Sequence, residues 1–369
     1  MQILIAPDKM KGSISSADIC DILEEEILNY DNSIEVIKCP LADGGDGTLA
    51  VMQNYIDMRP VFEEVHNPLR RNIEAYYCVN GNEAYVELPI ASGLTLLAEG
   101  ESNPMVTSTY GTGQLIKHAI QHGSETIYLM LGGSCTNDVG IGILSALGYR
   151  FLDDKQQVID PVGQNLKLIQ SIDSSQAIDF SNVKINILCD VNNPLYGPNG
   201  AAHIFGKQKG ANAEERSLLD SGMQHFASII EKYNGVNIQS LSGGGSAGGI
   251  AAGLYALCNA KILPGFQTIA NLVKLETLVV ESDIVISGEG RLDDNSFDGK
   301  VVGGMYNLCH QYQKSLHLIV GQNICSNDIL REKDIRIITV ESYAQDKDNA
   351  QADVVKYLRE IAKDFVINL

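Results

Sequence analysis

Apolar positions recur along this chain with two different periods. "ILIAP" (Ile3–Pro7) is a short continuous apolar run, the signature of a strand covered on both faces. Behind it, "SSADICDILEEEIL" carries Ile19, Ile22, Leu23 and Ile27 on one helical stripe, with Ser15 and Asp18 in capping positions. "EVIKCPL" predicts a second strand, and "ADGGDGT" leads into another helical pattern. Strand, loop and helix in repetition predict an α/β sheet. The rhythm then breaks. "NIEAYYCVNGNEAYVELPI" alternates on either side of Asn80-Gly81, a strong hairpin signal. Glycine loops and strands such as "TIYLMLGG" and "KINILCDV" follow. After "SDIVISGEG" the first rhythm returns, with a helical "GGMYNLCHQYQKS", the strands "HLIVG" and "RIITV", and a last helix near "ADVVKYLREIAKDF". The pattern predicts one α/β domain built from both chain ends (1–64 and 280–369) and a second α/β domain inserted between them (65–279).

Composition narrows the function. The 369 residues, 44% hydrophobic and 20% charged, suit an ordinary globular protein with a sizeable core. A formal charge of −19 argues against nucleic acid or an anionic membrane as partner. No apolar run reaches membrane-spanning length and no leader pattern opens the chain, so a cytoplasmic location is expected. The seven His residues are scattered along the chain. The closest of the eight Cys, Cys309 and Cys325, are sixteen residues apart, so no C-x-x-C motif exists and reduced core thiols are expected.

Several strands end in loops of glycine and polar residues: "PDKMKGS", "ADGGDGT", "GGSCTNDVG", "CDVNNPL" and "SGEGRLDDNSFDGK" (Ser287–Lys300). In open α/β sheets ligands bind outside the carboxyl ends of the strands, where glycines let a backbone approach phosphate. None is a fingerprint alone. Gly299-Lys300 is followed by Val301, and Asp294 stands where a P-loop needs glycine. "GGGSAGG" contains G-x-G-x-x-G at Gly243, Gly245 and Gly248. It lacks a good preceding strand and a following acid, so close packing of a small-residue helix explains its body, while its N-terminus remains able to bind an anion. The loops supply Asp8, Asp43, Asp46, Asp138, Asp190, Glu289 and Asp293, and the cations Lys9, Lys11, Lys207, Lys209, Arg291 and Lys300. Phosphoryl transfer needs both: carboxylates for a metal and cations around the moving group. The alternative is that Arg291 and Lys300 merely form surface pairs with Asp293, Asp294 and Asp298.

Taken in order, the loops resemble the class I glycerate kinase family (glycerate 2-kinase type) over essentially the whole chain. That family's pattern runs through "APDxxKGSxS", "PxADGGEGT", "NPxxTSTxGTG", "GGSATNDGG", "CDVxNPL", "FGPQKGA", "GGGxAGGxxAGL" and "SGEGRxDxQSxxGK". The departures are Asp46 for Glu, Cys135 for Ala, Val139 for Gly, Lys207 for Pro, Asn295 for Gln, and Val302 where Pro is common. None removes a motif charge.

The resemblance implies ATP-dependent phosphorylation of D-glycerate with Mg²⁺, usually at the 2-hydroxyl and in some relatives at the 3-hydroxyl. It also implies a Rossmann-like domain with a parallel sheet, a second mixed α/β domain, and an active site in the cleft between them. Written onto this sequence, Arg291 or Lys11 holds the acid's carboxylate, and Lys300 or Lys11 neutralises growing charge. Asp190 and Asp43 hold Mg²⁺ or accept the hydroxyl proton, and Asp293 is a further metal candidate. Asp8, Gly44, Gly45, Gly288, Glu289 and Gly290 are expected at the substrates. Gly132, Gly133, Ser134, Thr136 and Asn137, with Gly243, Gly244 and Gly245, are expected around the triphosphate. Ser108, Thr109 and Thr112 could join them, although capping the "GQLIKHAI" helix is the simpler role. A homodimer is left open. Competing readings are an oxidoreductase using "GGGSAGG" and a non-catalytic sensor of a small acid.

Overall fold

A computed structural model describes residues 1–326, 328–330, 335–344 and 347–367. The chain divides into two compact units. The first holds Met1–Asp43, Ala50–Tyr55 and Pro264–Leu369; the second holds Gly44–Leu49 and Ile56–Leu263.

The first unit is built on a five-stranded, wholly parallel sheet. Its order is Arg336–Thr339, Ser315–Val320, Ile284–Ser287, Gln2–Ile5, Glu35–Lys38, with Ile3 opposite Ile284 and Val36. Its central strands are continuously apolar because helices cover both faces. On one face Ile3, Ile5, Ile286 and Ile319 pack with Ile19, Leu23 and Ile27 of helix Ser16–Tyr30 and with Leu358, Ile361 and Phe365 of helix Val354–Ile367. Leu4, Val285 and Leu318 are fully buried on the other face. Helices Leu275–Glu281 and Val301–Gln311 pack against their strands there. Ser15 caps its helix as the sequence predicts, its Oγ accepting from Asp18 N at 3.1 Å. The two crossovers leave the sheet's centre in opposite directions. Gln2–Ile5 leads through Ser16–Tyr30 to Glu35–Lys38, and Ile284–Ser287 leads through Val301–Gln311 to Ser315–Val320. The loops after Ile5 and Ser287 therefore diverge and open a crevice at the switch point.

The second unit has a six-stranded sheet ordered Lys261–Leu263, Lys184–Leu188, Thr126–Met130, Glu83–Glu87, Asn72–Asn80, Arg59–His66. The first four strands are parallel and the last two antiparallel to their neighbours. The predicted hairpin forms, with Asn80 opposite Glu83 and Gly81 at φ +59°. Leu115, Leu129, Ile143, Ile187, Phe226 and Leu254 lie in its core.

The sequence boundaries shift. Residues 56–64 belong to the second unit, because Arg59–His66 pairs along its length with Asn72–Asn80. Residues 264–279 belong to the first, because Gly265–Leu272 and Leu275–Glu281 pack with Val301–Gln311.

Candidate active site

The switch-point crevice of the first unit is a pocket of about 620 Å³. Asp8, Lys11, Asp43, Glu289, Gly290, Arg291, Asp293 and Lys300 all line it. The backbone explains why. Beyond the strand ends, Asp8 N donates to Gly288 O (2.9 Å), Gly321 N to Glu289 O (3.0 Å) and Gln322 N to Gly290 O (3.0 Å). The ladder thus runs on into the loops and sets their side chains in a row. Gly288 permits this closeness: a Cβ there would lie 1.8 Å from Ile319 O. Ser287 Oγ, fully buried, donates to Ala6 O at 2.8 Å and ties the two central strands together.

Two carboxylates in this row are held far above their ordinary range. Burial pushes Asp8 up to about 7; nearby Lys9 opposes this and Asp43 adds to it. Burial likewise pushes Glu289 up to about 7, against a hydrogen bond from Ser296 and the Lys300 charge. Glu289 Oε1 is buried with no hydrogen-bond partner. A carboxyl near neutrality beside cations suits a site that takes up and releases charge.

Of the surface pairs proposed as the plain explanation for "SGEGRLDDNSFDGK", one forms. Arg291 Nη2 lies 3.5 Å from Asp293 Oδ2, with the Arg side chain 63% exposed. Asp293 also caps the turn Asp294–Phe297, accepting from Asn295 N at 3.0 Å. Asp294 accepts from Ser326 N at 2.7 Å and Cys325 Sγ at 3.2 Å. Lys300 occupies the N-cap position of Val301–Gln311, where helix N–H groups and the ammonium favour an anion together.

The remaining predicted residues lie in the second unit, where five motif loops are knitted together. A Cβ on Gly132 would fall 1.9 Å from Asp46 N and 2.5 Å from Gly45 C, so "GGSCTND" packs on the loop that carries Gly44 and Gly45. Gly245 N donates to Asn193 O (2.9 Å), and Ser242 Oγ to Asn192 Oδ1 (3.1 Å), joining Gly243–Gly245 to the loop of Asp190. Ser246 Oγ is 2.7 Å from Cys189 Sγ. Gly248 rests on Thr136 O, 2.1 Å from where its Cβ would be. Lys209 Nζ, finally, donates to Thr136 O (2.7 Å) and Asn137 Oδ1 (3.1 Å).

Two expectations need correcting, and one competing reading falls away. Thr136 and Asn137 are not displayed donors: both are fully buried, as is Asp138, and Ser134 is only 7% exposed. Thr109 sits at the N-cap of Tyr110–Gln121 but makes no side-chain capping bond. Its N and Oγ1 donate instead to Asp138 Oδ2 at 2.9 and 2.8 Å, while Ser108 Oγ bonds Pro161 O and Thr112 Oγ1 bonds Ser92 Oγ. Only Ser108 Oγ touches the first turn, accepting from Tyr110 N at 3.3 Å. The "GGGSAGG" segment is preceded by turns, not a strand, and Ala247, Gly248 and Gly249 adopt left-handed conformations. The context of a dinucleotide fingerprint is absent.

Burial raises the pKa of Asp138, although bonds from Thr109, Gly140 and Gly142 work against it. Burial lowers Lys209, 2% exposed, to about 8. The first unit's pocket also includes Ser13, Gln322, Glu341 and Gln351, which the sequence reading did not name. Gln322 follows directly on the apolar "HLIVG" and carries the same signal as the other strand-end residues. Gln351 arrives through helix packing and has no local signal.

No group of three or more His, Cys, Asp or Glu among the described residues forms a self-sufficient metal site. A magnesium ion bound chiefly by phosphate oxygens and water needs only one or two carboxylates. Asp43 and Asp293 in the pocket, with the orphaned Glu289 oxygen beside them, meet that requirement.

Comparison with known proteins agrees with this chemistry. The profile of the glycerate kinase family matches residues 3–368. A glycerate kinase of Bacillus subtilis is 34% identical over 100% of this chain and 98% of its own. The glycerate 2-kinase of Escherichia coli is 35% identical over 87% of this chain and 85% of its own. A crystal structure assigned as a glycerate kinase 2, from Salmonella typhimurium LT2, superposes with a TM-score of 0.80 at 34% identity, covering 100% of this chain and 98% of the other. The chain belongs to the glycerate kinase family and is a phosphotransferase.

Proposed function

We propose that the protein transfers the γ-phosphoryl group of ATP to the 2-hydroxyl of D-glycerate. The observation that carries this reading is the switch-point pocket, where Lys11, Arg291 and Lys300 gather in a chain of net charge −19 beside two carboxyls held near neutrality. An anionic substrate requires such a local reversal of field.

The first unit's pocket is assigned the acid. Arg291 or Lys11 grips its carboxylate, and Arg offers the bidentate geometry. Lys300, with the helix N-terminus behind it, stabilises charge that grows on the transferring group. The second unit's Gly132–Gly140 loop and the start of Gly243–Gly249 are assigned the triphosphate, through backbone N–H groups. Asp43 and Asp293 are the first unit's carboxylates assigned to a magnesium ion, which when bound would offset phosphate charge; Asp190 is the second unit's candidate for that role. Asp43 or Asp190 also takes the hydroxyl proton.

The test is acid-dependent release of ADP across a panel of small hydroxy acids. Turnover with D-glycerate well above that with L-glycerate or lactate is expected; equal, background-level release with all of them would overturn the reading. A sensor without turnover would bind the acid and leave ATP intact.

A further inference from the structure

Lys209 is the least expected side chain of the second unit. It is a lysine 2% exposed in a protein core, and none of the described carboxylates lies within ion-pair distance of its ammonium. Burying an ammonium costs several kcal/mol unless it is compensated, so a lysine retained there has a task. Its two hydrogen bonds identify the task. Both go to one loop, at Thr136 O and Asn137 Oδ1, and both acceptors belong to consecutive residues of "GGSCTND". Next to them Asp138 receives Thr109 N, Thr109 Oγ1, Gly140 N and Gly142 N. The loop backbone is therefore clamped from two sides, by a cation at residues 136–137 and by an anion at 138.

The clamp holds an unusual conformation. Val139, a β-branched residue, has φ +53°, followed by Gly140 at +72°. Such a conformation costs about 1–3 kcal/mol and persists only where its surroundings over-determine it. Thr136 Oγ1 and Asn137 Nδ2 are both fully buried without a hydrogen-bond partner, so the loop does not rest in its own best-satisfied arrangement.

We infer that Lys209 is a positioning residue for nucleotide binding: it touches no phosphate itself, and it fixes the peptide geometry of the Gly132–Gly140 loop that receives the triphosphate. The inference rests on the assignment of that loop under the proposed function.

The test measures ATP binding by calorimetry for wild type and for Lys209→Met, alongside melting temperature and the KM for each substrate. Methionine keeps the stem's volume and removes donor and charge. The variant is expected to melt below wild type, because Thr136 O and Asn137 Oδ1 lose their buried donor, to bind ATP at least tenfold more weakly, and to keep its KM for the acid within twofold. A purely structural lysine would lower the melting temperature and leave ATP affinity alone. A loss of ATP affinity smaller than tenfold overturns the inference. Should Lys209→Met fail to fold, Lys209→Gln, with a donor of shorter reach, carries the same comparison. If wild type binds ATP but phosphorylates no glycerate, the functional reading fails while the affinity ratio still decides the role of Lys209. If wild type binds no ATP, both fail.

Discussion

Arg291 and Glu289 stand two residues apart and illustrate opposite uses of charge. Arg291 is exposed and pairs loosely with Asp293, an arrangement that adds little stability. Arg291→Ala should therefore leave the melting temperature nearly unchanged while lowering turnover about a hundredfold, equivalent to about 2.7 kcal/mol of lost transition-state stabilisation. Lys300→Ala should do the same. Steady-state kinetics on folded variants checks both, and near-normal kinetics in both would remove them from the mechanism. Glu289 is the reverse case: its burial raises its pKa to about 7, so the ionised form strains the metal-free fold. Glu289→Gln is expected to stabilise the metal-free protein by about 1–2 kcal/mol near pH 8 and to reduce activity. Thermal melts of the pair in chelator test the first half; a lower melting temperature in the variant would contradict it.

At the scale of elements, the glycines at the strand ends separate packing from conformation. Gly288 faces the backbone of the neighbouring strand, with Ile319 O 1.8 Å from an added Cβ, and nothing flexible can give way. Gly299 has φ +78° and open space around it. Gly288→Ala should cost about 3 kcal/mol or more, by overpacking, and Gly299→Ala about 1 kcal/mol, by backbone strain alone. Denaturant titration distinguishes them, and equal costs would contradict the packing account.

The strands that open these loops were legible because each is a local apolar run, and so was the Asn80-Gly81 hairpin. Where Arg59–His66 belongs was not, since only pairing with Asn72–Asn80 decides it. The pocket side chains from "PDKMKGS" and "SGEGRLDDNSFDGK" could be read as a group because each loop follows its strand directly. The fate of Lys207 and Lys209 could not. In "FGKQKGA" they read as one basic pair, yet a single 3₁₀ turn, Lys207–Lys209, leaves the first exposed and buries the second.

For the whole molecule, net charge and site charge pull in different directions. A chain of −19 repels itself and its anionic substrates, and cations must be concentrated where phosphate is handled. Burial of Asp8 and Glu289 adds a pH dependence with a definite sign. Between their ordinary values of 3.8 and 4.5 and the raised value of about 7, the folded chain retains protons that the unfolded chain has released. Stability from these groups is therefore greatest at low pH and is lost as pH rises through 7. Lowering the pH from about 8 to about 6 should stabilise metal-free wild type by about 1 kcal/mol more than Glu289→Gln. The comparison with the variant cancels the general relief of self-repulsion.

The proposed phosphoryl transfer can be observed by ³¹P NMR of the purified protein with Mg-ATP and D-glycerate. Loss of the γ-phosphate resonance and growth of a phosphomonoester signal that coincides with added 2-phosphoglycerate are expected. ATP remaining intact would contradict the kinase reading, and a signal coincident with 3-phosphoglycerate would contradict the hydroxyl assigned.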